Sequence, residues 1–569
     1  MNPARTRELA LALTSFSSIT DSDGETRFAF FLRDLLAEWP FFKANPDRIR
    51  LIRTMDDPRE RYALVASVGG APDSAIRPAI ILTGHYDVVS DGNYGSLAPW
   101  AFDPEALAPR LVSALEDEAA SGAARGTRAG ETERRALDDL RSGDFLPGRG
   151  LLDMKAGLAA GLALLEDRAI EVMNTASAGI RQADGALPLE ALVFLAVPDE
   201  EGSSRGMLSA VRALPAVLES WGLKALAAIN LDAAVDQGDG SAGRAAFLGS
   251  VGKMHPFALF IGRPTHAGAP FDGINPALLA AGFASGVECA VDLFDQPVTD
   301  NPPPPPTILY FRELRDHYDV TTPSSVFVSL NVLTHRDGPE AVLGACSRLA
   351  LESMQSAGSM LRSRAETFSR STGQCFSPPD HEPRVVSWVE LAQTARIADQ
   401  AAFEALELKM RNSPEGIPAL AEFVAAAALI AGLEGPAALV GLAPPYYPRA
   451  MLDPSSDKKL IAAVVAAAEA VAESTAQSIV VSRFFPGISD MSFLNPRDDA
   501  DARLFAAAAC PLGLDPLPAG FSCPVINIGP WGREYHQRLE RVHAGYAFEV
   551  LPVLLERTVA GIFGMNVGN

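Results

Sequence analysis

Four apolar runs in this sequence stop at residues able to bind a metal ion: His85 with Asp87, Asp153, Glu200 with Glu201, and Asp232. An imidazole set among carboxylates suits Zn²⁺ or another borderline divalent cation. The pair Glu200–Glu201 raises the sharpest question, because it stands just after the apolar run Phe194-Leu-Ala-Val-Pro198, with only Asp199 between. Adjacent side chains on extended backbone point to opposite faces, so the two glutamates are either solvated loop charges or groups with different tasks in one site. Taken singly, each of these residues reads more readily as a helix cap or a solvated loop group. Taken together they form a constellation, since ligands of an open α/β sheet gather beyond the carboxyl ends of its strands.

The elements that must carry these residues follow from the hydrophobic pattern. Residues 6–40 read as two helices around an Asp/Ser/Gly turn, the second from Glu25 to Trp39. Strand-like runs lie at Tyr62-Ala-Leu-Val-Ala-Ser-Val68, Ala79-Ile-Ile-Leu-Thr83, Ala191–Val197 and Ala225–Leu231, with helices after Asp153 and around Met207–Glu219. Strands alternating with helices predict an α/β domain with a largely parallel sheet. The charged, Ala/Glu-rich stretch at about 105–143 reads as a helical surface insertion. After about residue 245 the pattern turns to α+β, with strands Phe257–Ile261 and Ser325–Leu333, helices from Asn275 and Pro339, and two more helices after Arg384. The strand Ala437–Leu442, a helix from Asp457 to Ser474 and the run Cys523–Ile528 restore the α/β texture. One domain, 1–245 with 446–569, is therefore expected to be split by an inserted domain at 246–445.

The chain has 569 residues, too many for a single ordinary core. Its 48 basic against 70 acidic residues leave a net charge of −22, which argues against nucleic acid or an anionic membrane surface as partner. Cys289, Cys346, Cys375, Cys510 and Cys523 are scattered and form no CxxC pair, so idle thiols are expected rather than a disulfide framework or a thiolate zinc site. The charged N-terminus lacks an export-type apolar core and no stretch reads as a membrane span, so a cytoplasmic location is the default expectation.

Six segments then match a known pattern in order: Gly84-His-Tyr-Asp-Val88, Gly148-Arg-Gly-Leu-Leu-Asp-Met-Lys155, Pro198-Asp-Glu-Glu-Gly202, Pro264-Thr-His-Ala-Gly268, Gly487-Ile-Ser-Asp490 and Gly529-Pro-Trp-Gly-Arg-Glu-Tyr-His536. Nearly the whole chain resembles the co-catalytic zinc family of acetylornithine deacetylase, succinyl-diaminopimelate desuccinylase, aminoacylase and glutamate carboxypeptidase. The insertion before Gly148 and the Ala443-Pro-Pro-Tyr-Tyr-Pro448 segment look closest to the RocB-type arginine-utilisation branch. The resemblance implies a three-layer, zinc-exopeptidase-like catalytic domain with a mostly parallel central sheet, interrupted by an inserted α+β lid or dimerisation domain. It makes His85 and Asp232 ligands of one metal, Glu201 and His536 ligands of a second, and Asp153 the carboxylate bridging both. Two divalent ions per chain are implied, Zn²⁺ first, with Co²⁺ or Mn²⁺ as alternatives. Asp87 would orient the His85 imidazole, and the Asp153–Met154 peptide would be cis. His536 is preferred over His543 because Glu540 follows it by four residues.

The same resemblance makes Glu200 the general base of a metal-dependent hydrolase that cleaves an amide or peptide bond. His266 would stabilise the tetrahedral oxyanion, in its own chain or that of a partner. Ser489 and Asp490 would shape the substrate end of the pocket. No arginine stands in Val328–His335 where family members grip a substrate carboxylate, so Asn331 is the candidate there. The expected substrate is a dipeptide or N-acyl amino acid, arginine-related on the branch resemblance, and the expected assembly is a homodimer or a monomer with an enlarged lid. A non-catalytic module retaining the fold is the alternative, which loss of a ligand or of Glu200 would have favoured.

Overall fold

The computed structural model describes the chain apart from residues 1, 70–75, 122–127, 178–189, 294, 296–302, 316–318, 380–381, 412–415, 486, 496–520 and 565–569. Cys510, along with His317 and His381, for which the sequence suggests only structural roles, lies outside the described residues. Two compact units emerge, one from the chain up to Ser250 and again from Ala450, the other from Val251–Arg449.

The first unit is built on an eight-stranded sheet in the order Ile49–Arg53, Tyr62–Val68, Ala191–Val197, Arg77–His85, Leu223–Asn230, Val525–Asn527, Ala245–Phe247, Val480–Ser482. The four strands from Ala191–Val197 to Val525–Asn527 are parallel, with antiparallel neighbours on both sides. Parallel strands are covered on both faces and therefore need near-continuous apolar sequence. Ala191–Val197 is buried along its whole length. Leu64, Ala66, Ile80, Leu82, Leu192 and Phe194 point into a core shared with helices Pro3–Ser15, Asp23–Ala37, Ala156–Ser177 and Leu551–Gly564. The alternate residues Val65, Ile81, Val193 and Leu195 are equally buried, and helix Arg205–Ser220 packs against these strands. This is an α/β fold.

The stretch expected to be a helical insertion forms two helices, Pro104–Ser121 and Arg128–Ser142. They have a small core of their own, in which Leu107, Leu111, Leu115, Ala136 and Leu137 meet Tyr94 and Leu539. A second, four-stranded sheet orders Phe145–Pro147, Arg541–His543, Trp531–Arg533 and Ala234–Val235. Its strands are two or three residues long, too short to show a period in the sequence.

The second unit holds a five-stranded sheet in the order Thr307–Glu313, Ser325–Thr334, Gly252–Ile261, Ala437–Tyr447, Arg384–Ser387. One face packs Met254, Ala258, Phe260, Val326 and Val328 against helices Pro276–Val287 and Pro339–Thr372. The other packs Phe257, Leu259, Phe327 and Leu439 beneath three further helices, Trp388–Ala398, Gln400–Arg411 and Ile417–Ile430. Two helices were expected after Arg384. The extra break falls at Asp399, whose extended backbone ends the first helix without a glycine or proline to announce it. Strands Ile49–Arg53 and Thr307–Glu313 were also not legible in the sequence, because both are half-exposed and carry charged residues. Among the described residues, no helix is long and apolar enough to cross a membrane.

Candidate metal centre

The carboxyl ends of the central parallel strands place the polar residues. His85 is the last residue of strand Arg77–His85, and Asp232 stands two residues beyond strand Leu223–Asn230. Glu200 and Glu201 lie in the turn after Ala191–Val197, and Asp153 lies in the turn Leu151–Lys155 that opens the buried helix Ala156–Ser177. His536 comes from elsewhere, on the loop joining the antiparallel strands Trp531–Arg533 and Arg541–His543. The Asp153–Met154 peptide is cis.

These side chains meet in two groups whose ligand atoms all lie within 4.8 Å of one another: His85, Asp153 and Asp232, and Asp153, Glu201 and His536. Asp153 belongs to both. Its Oδ1 lies 3.1 Å from His85 Nε2 and its Oδ2 lies 3.1 Å from His536 Nε2. His536 Nε2 approaches Glu201 Oε1 to 2.8 Å, and His85 Nε2 is 3.9 Å from Asp232 Oδ1. His85 Nδ1 lies 2.9 Å from the backbone carbonyl of Asp87. That contact fixes the tautomer, leaving the Nε2 lone pair facing the carboxylates.

The residues fit a pair of divalent cations. Glu201 Oε1 and Asp153 Oδ2 both converge on His536 Nε2, at 2.8 and 3.1 Å, a cluster of lone-pair donors such as a cation would hold together. Each group offers one imidazole nitrogen and two carboxylates, a donor set suited to Zn²⁺ and its neighbours. Crowding leaves its mark on the proton affinities. Burial, with Asp153 adding, pushes the Asp232 carboxyl up to about 7, against the pull of His85 and Ser489. Glu200 is raised well above the usual carboxylate range, first by burial and then by Asp490 and Asp232, against the pull of His85. Burial opposes a charge on His536, but the carboxylates of Asp153 and Glu201 win and raise it to about 10. Positive charge is what such a cluster lacks.

Asp87 does more than the sequence suggests. Its carboxylate is 3.6 Å from His85 Nδ1, and it accepts the backbone N–H groups of Glu200 and Glu201 at 3.1 Å each. The ring is oriented by the Asp87 carbonyl, while the side chain holds the turn that presents both glutamates. Behind that turn, Arg61 is buried among Asp57, Glu25 and Asp199, at 2.8, 3.0 and 2.9 Å. Asn527 accepts the N–H of Asp232 and donates to its carbonyl, and Asn230 donates to both Asn527 and Ser489. Ser489 thus supports the Asp232 end of the site. Asp490 is buried beside it, and burial, countered by Ser204, raises its carboxyl to about 8.

His536, held in a left-handed conformation at φ 63°, accepts at its carbonyl from Asn93 Nδ2 at 2.8 Å. Glu540 bonds to the buried Arg149 and accepts the N–H of Gly150 at 2.8 Å, tying the end of the loop next to Asp153. His543 stacks on Trp531 and accepts from the N–H of Tyr546, a packing role. Arg61, Asn93, Asn230 and Asn527 escaped the sequence reading. The two asparagines at strand ends, in Ala-Ala-Ile-Asn230 and Val-Ile-Asn527, carried the same signal as the ligands, a polar residue closing an apolar run. His266 and Asn331 belong to the second unit. His266 is exposed, with Nδ1 accepting the N–H of Gly268, and Asn331 is half-buried on strand Ser325–Thr334.

Two curated proteins of Bacillus subtilis (strain 168) are similar along almost their full lengths. The uncharacterised protein YqjN is 28% identical over 565 residues, covering 97% of this chain and 95% of that protein. Protein RocB is 27% identical over 578 residues, covering 98% and 95%. Among solved structures, a tripeptidase from Staphylococcus aureus aligns over 99% of both chains at 14% identity with a TM-score of 0.48. The sequence pattern of Peptidase family M20/M25/M40 matches residues 133–507, well over half of the chain. This chain therefore belongs to peptidase family M20/M25/M40.

Proposed function

We propose that this member of the family is a two-cation hydrolase acting on a C–N bond of a small amino-acid derivative, a dipeptide or N-acyl amino acid. The observation that carries the reading is the division of the two adjacent glutamates. Glu201 faces His536 and Asp153 in a ligand group, whereas Glu200, half-buried next to it, belongs to neither group.

His85, Asp153, Asp232, Glu201 and His536 would hold the divalent cations, which when bound would supply Lewis-acid polarisation of the scissile carbonyl and lower the pKa of a water molecule. Glu200 takes the proton of the attacking water on a carboxylate oxygen as the hydroxyl oxygen adds to the carbonyl carbon. It then delivers that proton to the amine nitrogen as the C–N bond breaks. A carboxylate bound to a cation would be too weak a base for this, which is why the site needs one bound and one free glutamate. Asp87 keeps the two apart by holding both backbone N–H groups.

The test combines metal analysis with turnover. Purified protein is expected to hold about two divalent cations per chain, and Glu200→Gln to keep them while losing about 10²–10⁴-fold in kcat. Hydrolysis is read on a panel of dipeptides and N-acyl amino acids, arginine derivatives included, with Zn²⁺, Co²⁺ or Mn²⁺. A wild-type protein without stoichiometric metal, or without hydrolysis of any panel member, would overturn the proposal. The oxyanion role expected of His266 is read separately: His266→Ala should lose about 10²–10³-fold in kcat with its metal content unchanged.

A further inference from the structure

The ligand residues are not equally secured. His85 and Asp232 sit at or just beyond the ends of central strands and Asp153 in the buried turn Leu151–Lys155, with His85 only 2% exposed. His536 lies on the loop 534–540, which has two backbone turns and no regular secondary structure, and its side chain is 36% exposed. A loop of this kind opens locally unless outside contacts hold it, and a loosened imidazole lowers the affinity of the site it serves.

Beyond the bonds from Asn93, Arg149 and Gly150, the outside contacts come from the two inserted helices. Arg538 makes a two-pronged pair with Glu118 of helix Pro104–Ser121, at 2.6 and 2.8 Å. Arg533 reaches both oxygens of Asp139 on helix Arg128–Ser142, at 2.7 and 2.6 Å. Arg541, 1% exposed, bonds to the same Asp139 at 2.8 and 2.6 Å. Leu539 inserts among Leu107, Leu111, Leu115, Ala136 and Leu137. Three arginines and one leucine, on or flanking a single loop, are thus all met by one pair of helices. An isolated surface ion pair contributes little, but a half-buried aspartate shared by two buried guanidiniums leaves both uncompensated when it is removed.

We propose that the helices Pro104–Ser121 and Arg128–Ser142 form a brace that positions the His536 loop, and so set the affinity of the Asp153–Glu201–His536 half of the metal centre. The metal part rests on the two-cation reading above; the brace itself does not. Glu118, Asp139 and Arg538 are positioning residues, acting through His536.

The full chain is tested as Glu118→Gln, as Asp139→Asn and as the charge exchange Glu118→Arg with Arg538→Glu. In metal-free protein, hydrogen exchange of the amides 534–540 is expected to quicken about tenfold or more in the two single variants, with strands Arg77–His85 and Ala191–Val197 unchanged. In Zn²⁺ titrations the affinity of one of the two sites should fall about 10- to 100-fold while the other holds, and the charge exchange should recover most of the loss. Unchanged exchange at 534–540 in both single variants would overturn the brace, as would a uniform rise across the first unit. A wild-type protein that binds fewer than two cations would defeat the two-cation reading alone, with the exchange data still deciding the brace.

Discussion

Glu200 and Glu201 share a side chain and adjoin in sequence, and their surroundings divide them. The turn after Ala191–Val197 aims Glu201 at His536, while the Asp87 carboxylate fastens the N–H groups of both. The roles of these residues rest on chemistry that was legible in the sequence, as polar groups closing apolar runs. The use made of Asp87 was not, because a side chain that accepts two N–H groups more than a hundred residues away leaves no local pattern. An asparagine in place of Asp87 would offer a single side-chain oxygen, and its amide would confront one of those N–H groups. Asp87→Asn is therefore expected to lower kcat by about 10–100-fold while the protein stays folded, read by steady-state kinetics beside circular dichroism.

At the scale of elements, close approach decides how the ligand turns are presented. Helix Ala156–Ser177 starts three residues after Asp153, and a Cβ on its Gly157 would lie 2.0 Å from the carbonyl oxygen of Leu231. That contact brings the start of the helix against the strand end that carries Asp232. On the other side, the Arg61 cluster backs the Asp199–Glu201 turn. Burial, with Asp87 adding, raises Glu25 to about 8, and burial, checked by Arg61, raises Asp199 to about 6. Arg61→Leu would strand Glu25, Asp57 and Asp199 without their shared cation, at a cost of about 3–5 kcal/mol in urea denaturation. The sign with pH follows from the raised carboxyl values. Protons taken up on folding stabilise the native state at low pH, and this gain is lost as pH rises through the folded values, so the penalty should grow between pH 6 and 8.5. An equal or smaller penalty at the alkaline end would contradict the cluster's role.

At the scale of the molecule, two units with separate cores make a single unfolding transition an unsafe assumption. His255 provides a marker for the second unit. Burial, with Lys253 adding, lowers its imidazole to about 4. A depressed folded value means stability that is present above pH 6.5 and lost as pH falls toward 4, about 3 kcal/mol across that window. His255→Gln should flatten the acid limb for the second unit, followed by hydrogen exchange of strand Gly252–Ile261, and leave that of the first unit unchanged. An acid limb of equal steepness in both proteins would show that another group governs it.

Local pattern determined much of this protein. The alternation of apolar runs and helices announced an α/β sheet, because strands buried on both faces must be apolar along their length. The residues that close those runs were visible as an imidazole and several carboxylates, since nothing in a buried strand end favours them without a partner. Tertiary structure alone decided the strand order, the half-exposed edge strands and the use of the Asp87 carboxylate to hold the Glu200–Glu201 turn. It also decided that Asn93 would hold a carbonyl 443 positions away, at His536, and that two inserted helices would meet the loop carrying that histidine. Periodicity reports only which side of its own element a residue faces. Which residue it meets there is settled by packing between distant parts of the chain.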